Sequence, residues 1–144
     1  MVTYNDLYEY LRKERYSEEL QALPKKFLSE VFEYFEEKKK FSDNGGDMFS
    51  DVMIKTKKKL ENSMAIFKEL ITRRKKKILT LAYVASETGI SKRDFENLLG
   101  FERDLFEEIV KSLEKADKNL NESMVTSKED TNTFLLARFL MDVE

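Results

Sequence analysis

Residues 50–86 read SDVMIKTKKKLENSMAIFKELITRRKKKILTLAYVAS, a stretch without a glycine or a proline. Its apolar side chains recur at steps of three, four and seven, which is the periodicity of one helix face and close to a coiled-coil seam. An unbroken helix of this length would be about 55 Å long at 1.5 Å per residue. A chain of 144 residues folds to a radius of gyration of only about 15 Å, so this helix must protrude, kink or lie against a partner. The apolar stripe consists of Met53, Leu60, Met64, Phe67, Ile71, Ile78, Ala82 and Ala85.

The composition favours long, solvent-exposed helices within one domain. Charged residues make up 38% of the chain, and there are only 4 glycines and 1 proline, which argues against a sheet with many turns. The absence of cysteine and histidine removes disulfides, thiolate metal sites and the commonest general base. No stretch is apolar enough for a membrane span and no signal peptide is evident. We therefore expect a soluble, cytoplasmic protein.

The charge is segregated along the chain. Residues 1–54 carry a net charge of −4, residues 55–77 carry +8 and residues 78–144 carry −6. The excess of basic residues therefore lies in the middle of the long helix, between two acidic segments.

Several local signals predict where the other helices begin. Thr3 and Asp6 form a capping box variant, Ser17 resembles a second helix start, and Pro24 suits the first turn of another helix. That third helix carries a wide apolar arc from Phe27 to Phe35, which predicts contacts on two sides. Residues 42–47 are loop-like in composition.

The second half of the chain continues the helical pattern. Gly89 is a typical helix stop, Ser91 a helix cap, and Gly100 either a turn or a tolerated break. An apolar helical stripe then runs from Phe101 to Leu113. Residues 119–128 are polar without clear periodicity and are predicted to form a linker, and residues 134–141 could be a strand or a helical turn.

Taken together, these signals predict an all-α protein, an antiparallel helical bundle of about five helices built on one long central helix. We predict a helical domain over residues 1–118 and a linker over residues 119–144.

Two basic runs, 57–59 and 73–77, are the most conspicuous charged features. They could contact nucleic acid phosphates, which makes a nucleic-acid-binding helical module the alternative function. However, five consecutive helical residues point around the whole circumference, and aromatic residues do not alternate with them as in single-strand binding surfaces. Residues 85–94 resemble the turn of a helix-turn-helix, but residues 86–117 are predominantly acidic, which disfavours insertion into a DNA groove.

Catalytic motifs are not recognisable. Paired acids such as Glu107 and Glu108 are adjacent and diverge by about 100° on a helix, so they do not converge on one metal or substrate. A glycine-rich phosphate loop and a nucleophile elbow are both missing from the sequence. We predict no enzyme, no cofactor and no metal site. The surplus of apolar helix surface instead favours oligomerisation through helices, although a single ordinary core remains an alternative.

The pattern of motifs resembles an archaeal GINS subunit of the type in which the helical A domain comes first. The first helix reads Leu7-x-x-x-Leu11-Arg12-Lys13-Glu14, and Ser17-Glu18-Glu19-Leu20-Gln21-x-Leu23 follows it. The long helix contains Arg74-x-x-Lys77-Ile78-x-x-Leu81-Ala82, which is similar to the Arg-x-x-Lys-Ile-x-x-x-Ala signature of that family. Phe106-x-x-Ile109-Val110-x-x-Leu113 resembles the closing helix of the A domain, and Arg138-Phe139-Leu140-x-Asp142-Val143 resembles the start of a small β domain.

The resemblance implies a non-catalytic subunit of a DNA replication complex. Such subunits form homo- or hetero-tetramers that link and activate the MCM helicase with a RecJ-like protein at replication forks. A weak contact with DNA is also compatible with this role. Because the chain stops where the β domain would begin, we expect that domain to be missing and docking of the RecJ-like protein to be weakened.

The resemblance also implies roles for particular residues. Arg74 and Lys77 match the signature, and together with Arg73 they are predicted to have a structural or electrostatic role by pairing with acids across helices. The subunit contacts are predicted to come from Leu7, Leu11, Leu60, Met64, Phe67, Ile71 and Ile78.

Overall fold

A computed structural model describes residues 1–44 and 51–129. Five helices follow one another, and the described residues contain no strand: α1 Tyr4–Arg15, α2 Phe27–Asn44, α3 Asp51–Thr88, α4 Lys92–Glu96 and α5 Gly100–Glu129. The predicted all-helical class with one long central helix is confirmed. None of the described helices is long and apolar enough to cross a membrane.

The long helix α3 is the element on which the others pack. Its 38 residues span about 57 Å, and α1, α2 and α5 all contact it. It ends where glycine was expected to end it, because Gly89 adopts a φ of 89°, a left-handed conformation that favours glycine. The Gly89 amide donates a hydrogen bond to the Ala85 carbonyl at 3.0 Å.

Helix α1 runs in the same direction as α3, and α2 runs in the opposite direction. Tyr4 near the start of α1 lies beneath the Lys59 ammonium, at 5.4 Å from ring centroid to Nζ, and the end of α1 lies farther along α3. In α2 the order is reversed, since the Phe27 ring lies 6.2 Å from that of Phe67, whereas Tyr34 reaches back to Ser63 through a 3.3 Å contact between hydroxyl oxygens.

Helix α5, like α1, runs in the same direction as α3, so the predicted antiparallel arrangement is wrong for both of these pairs. Glu102 in the first turn of α5 pairs with Arg74, and Phe106, one turn later, packs in the same cluster as Ile78 and Ala82. For α5 the reason is the segment 89–99, which carries the chain back along α3 before α5 begins.

The core has two parts along α3, separated by Arg74. Leu70, one turn before Arg74, belongs to the first part, and Ile78, one turn after it, belongs to the second. The buried residues of the first part are Val2, Leu7, Leu11, Phe27, Val31, Tyr34, Leu70 and Leu99. Those of the second part are Leu20, Ile78, Ala82, Leu98 and Phe106.

Two predicted helix caps are confirmed. The Asp6 amide donates to the Thr3 hydroxyl at 3.2 Å, and the Thr3 amide donates to the Asp6 carboxylate at 3.0 Å. Ser91 caps α4 by accepting a hydrogen bond from the Asp94 amide at 3.2 Å. Both caps satisfy amides that have no partner within the helix.

Three local predictions are wrong. No helix begins at Ser17, because residues 16–26 form an irregular connection that buries Leu20 in the second part of the core. Residues 42–44 belong to α2 rather than to a loop. Residues 119–128 are helical rather than a linker, because α5 continues to Glu129; after Gly100 no glycine or proline interrupts it. Residues 45–47 of the predicted loop and the predicted strand or turn at 134–141 lie outside the described residues.

Replacing Leu70 by Ala should destabilise the protein by about 2–5 kcal/mol, because a buried side chain is removed and a cavity remains. The matched control is Leu79→Ala in the same helix, where the side chain is 53% exposed; it should cost about 0.5 kcal/mol or less. Urea unfolding followed by circular dichroism gives both values. Equal losses for the two variants would show that Leu70 is not packed in the core.

Candidate functional site: the Arg74 network and the surfaces beside it

Arg74 is a charged side chain in the middle of the core. It lies on the inner face of α3, and none of its side chain is exposed. An arginine is rarely buried so completely unless its charge and its donors are matched. The surrounding residues supply both.

Each of the five N–H donors of Arg74 has an acceptor. One terminal nitrogen, Nη1, donates to Glu14 Oε1 and to the Gln21 carbonyl, both at 2.6 Å. The other, Nη2, donates to Glu102 Oε1 at 2.7 Å and to the Asn97 carbonyl at 3.0 Å. Nε donates to Glu102 Oε2 at 2.8 Å, which makes the pair with Glu102 bidentate.

Lys77 adds a second cation one helical turn away. Its ammonium donates to the second Glu14 carboxylate oxygen and to the Glu14 carbonyl, the latter at 2.8 Å. It also reaches the Glu19 carbonyl at 2.9 Å and the Ser17 hydroxyl at 3.1 Å. The charges of the two cations and the two carboxylates thus cancel. We use the name Arg74 network for Arg74, Lys77, Glu14 and Glu102 together with the carbonyls that they contact.

The network also fixes the start of α5. Glu102 accepts a hydrogen bond from the Leu99 amide at 2.8 Å, the contact that a glutamate at the third helical position makes with the capping residue. The Asn97 side-chain amide donates to the Leu20 carbonyl at 3.1 Å. The irregular connection after α1 and the segment before α5 are therefore joined to each other as well as to α3.

Electrostatics keep Arg74 charged. Burial by itself lowers the pKa of Arg74, but the hydrogen bonds and charges of Glu102 and Glu14 more than offset this and raise the pKa above its usual value. Within residues 1–44 and 51–129, no buried side-chain nitrogen or oxygen lacks a hydrogen-bond partner. The polar groups of the network thus bind one another. Together they hold α1, α3, α5 and the two connecting segments in place.

The three cations that were predicted to have a structural or electrostatic role have different environments. Arg74 and Lys77 form the network. Arg73 instead lies at the surface, where its Nε donates to Glu69 at 3.1 Å, and the same carboxylate oxygen accepts from Arg15 at 2.6 Å. Pairing of this kind at the surface contributes little to stability.

Four of the seven predicted subunit contacts are buried within the chain itself. Leu7, Leu11 and Ile78 are buried against the chain's own helices, so they offer no surface to a partner, and Leu60 is also buried. The sequence pattern could not separate core from interface because both require apolar residues on the same helical stripe.

The other three predicted contacts lie together at the surface. Met64 is 48% exposed, and Phe67 and Ile71 are partly buried on the same face of α3 by their spacing. Phe32 of α2 is 52% exposed, and its ring packs edge-on against that of Phe67 at 6.0 Å. We call Phe32, Met64, Phe67 and Ile71 the Phe32 patch.

The basic run 73–77 does not form one charged surface. Arg74 is buried and Lys77 mostly buried in the network, and Arg73 is paired with Glu69. Only Lys75 and Lys76 belong to the exposed class. The run therefore divides between the core and the surface, as the rotation of about 100° per residue requires.

The acceptors of Arg74 were not predicted from the sequence. Glu14 continues the buried stripe of Leu7 and Leu11, and Glu102 precedes Phe106 by one turn. A carboxylate on the apolar face of a helix is the signal that could have identified both residues. Asn97 and Gln21 contribute backbone carbonyls, for which side-chain chemistry gives no signal. Within residues 1–44 and 51–129, no group of acidic side chains is arranged to hold a metal ion.

Comparison with known proteins identifies no relative: no family model, no curated protein and no solved structure matches the chain.

Arg74→Lys should destabilise the protein by about 2–4 kcal/mol, because lysine has three donors and leaves buried acceptors unpaired. The control is the same substitution one residue earlier, Arg73→Lys, which should cost about 0.5 kcal/mol or less at the surface. Urea unfolding at neutral pH measures both. If Arg74→Lys destabilised the protein no more than Arg73→Lys does, the hydrogen bonds of the Arg74 guanidinium would not be contributing to stability.

Proposed function

We propose that this chain is a non-catalytic scaffold subunit that assembles with other helical subunits through the Phe32 patch. The observation that carries the proposal is the patch itself, an aromatic and aliphatic surface on the longest helix. Phe32 and Met64 each leave about half of their surface exposed. Contiguous apolar surface of this kind is typical of protein interaction sites, whereas single exposed apolar residues are common everywhere.

The occupant that we propose for the patch is a second copy of the chain. The charge segregation supports this choice, because a basic segment, 55–77, lies between two acidic segments, and opposite charges on two copies attract each other. A two-fold axis beside the patch would bring acidic surface of one copy toward basic surface of the other. Apolar contact would then supply affinity, and the charges would favour one orientation.

The type of scaffold that we propose is a GINS subunit, with the described helices as its A domain. The resemblance rests on the order and spacing of short motifs along the chain. One of these motifs contains Arg74 and Lys77, the two cations of the Arg74 network. Their role in holding the helices together would explain why a family motif contains them. On this proposal the assembled complex links and activates the MCM helicase with a RecJ-like partner at replication forks.

Placing a charge in the patch by Met64→Glu should dissociate the assembly, because a carboxylate would be buried without a partner at the contact. Wild-type protein at tens of micromolar should show a mass above the 17.1 kDa of one chain in light scattering, and the variant should show the monomer mass. The matched control Leu79→Glu, on the same helix with similar exposure, should retain the wild-type mass.

Two results would count against the proposed interface. One is a wild-type protein that is monomeric at these concentrations, and the other is equal dissociation by Met64→Glu and Leu79→Glu. Circular dichroism of each variant verifies that the helices remain folded.

A further inference from the structure

A cleft lies where the end of α1 meets the outer side of α3. It has a volume of about 290 Å³ and contains basic side chains from both helices, Arg15 from α1 and Arg73 and Lys76 from α3. Two hydroxyl side chains, Ser17 and Thr72, also line it. Arg15 is far in sequence from Arg73 and Lys76, so its approach to them is a result of the fold.

The two arginines of the cleft already converge on one anionic oxygen. Arg15 Nη2 lies 2.6 Å and Arg73 Nε lies 3.1 Å from the same oxygen of Glu69. The hydrogen bond from Arg15, together with that from Arg73, lowers the pKa of Glu69 below its ordinary value. The Glu69 carboxylate occupies the position between the two guanidinium groups, so a phosphate at the cleft would bind the N–H donors of Arg15 and Arg73 that Glu69 does not use.

The cleft contains more positive than negative charge. Glu14 and Lys77 line its floor but neutralise each other within the Arg74 network. Of the remaining charges, Glu69 offsets one of the three cations. Lys76 is exposed and forms no ion pair with any residue in the described ranges 1–44 and 51–129. The residues that line the cleft therefore carry a net charge of about +2, which attracts a phosphate group, whereas Glu18, Glu19 and Asp94 line the adjoining cleft that Lys76 also borders.

Two exposed tyrosines lie outside the lining of the basic cleft but close in the chain to its cations. Tyr16 follows Arg15 directly at the end of α1 and is 78% exposed. Tyr83 is 60% exposed and lies two helical turns after Lys76, on the same face of α3. Aromatic rings beside a basic groove are the combination by which proteins bind unpaired bases and their phosphates together. The sequence did not reveal this combination, because Arg15 belongs to a different helix from the basic run and Tyr16 follows that helix.

We propose that this cleft binds single-stranded nucleic acid, with a backbone phosphate held by Arg15, Arg73 and Lys76 and bases stacked on Tyr16 and Tyr83. A single strand is favoured over a duplex because the aromatic rings require unpaired bases. The proposal does not depend on the scaffold function, since the cleft and the Phe32 patch use different residues.

Binding can be measured by fluorescence anisotropy of the full chain with a labelled oligothymidylate of about 12 nucleotides at low salt, within the site sizes typical of single-strand grooves. The double variant Arg73→Gln/Lys76→Gln should weaken binding at least about tenfold and reduce the slope of log K against log salt by about 1.4, as expected for two lost phosphate contacts. The matched control, Lys111→Gln/Lys115→Gln, removes the same charge from exposed positions on α5 and should leave Kd within about twofold.

The tyrosines are tested separately. Tyr16→Ala should weaken binding about five- to hundredfold, the range for loss of a stacked base, whereas Tyr8→Ala, which changes another exposed tyrosine of the same region of the chain, should have no effect. A duplex of the same length should compete poorly.

Any of three results would overturn the proposal: no binding at low salt, equal weakening by the α5 control, or equal competition by duplex. The oligomer mass of Arg73→Gln/Lys76→Gln should match that of wild type. If the wild-type protein bound nucleic acid but were monomeric, the scaffold proposal would fail and the proposal for the cleft would stand.

Discussion

A buried arginine needs an acceptor for each of its donors, and this requirement fixes the relative positions of most of the described chain. Arg74 obtains its acceptors from α1, from the connection after α1, from the segment before α5 and from α5 itself. Lys77 adds contacts to the same connection. If any of these segments were displaced, at least one group would remain buried without a partner, at about 1–3 kcal/mol each and more for a charged group.

The network contributes more to fixing one relative placement of the helices than to the total free energy of unfolding. Removing two ions from water is costly, and replacement of a buried ion pair by well-packed apolar residues is often neutral or stabilising. Breaking the pair by removing one partner, in contrast, costs about 3–5 kcal/mol. Apolar contacts between α3 and α5 alone would tolerate small shifts along the helices, whereas the bidentate contact with Glu102 has only one suitable position.

Local features of the structure could be predicted from the sequence, and long-range features could not. The length of α3, the caps at Thr3 and Ser91, and the stop at Gly89 each follow from neighbouring residues. The direction of α5 depends on how segment 89–99 folds back, which neighbouring residues do not determine. The helix through residues 119–128 was missed because polar sequence gave no apolar stripe, although no residue there interrupts a helix.

The same limit applies to the candidate sites. Periodicity identified an apolar stripe on α3 but could not divide it between the core, where Ile78 lies, and the surface, where Met64 lies. The basic run was likewise visible in the sequence, but only the fold separates Arg74 in the core from Lys76 in the cleft. Arg15 joins that cleft from the end of α1, a convergence that no spacing within α3 could indicate.

Arg74 and Glu102 act as one unit that holds α5 against α3. A double-mutant cycle with Arg74→Met, Glu102→Leu and the combined variant tests it directly through free energies of unfolding in urea. We expect the combined variant to be less destabilised than the sum of the single variants by about 2 kcal/mol or more. Arg74→Met leaves the buried Glu102 without its cation, and Glu102→Leu leaves two Arg74 donors without acceptors. Additivity within about 0.5 kcal/mol would contradict it.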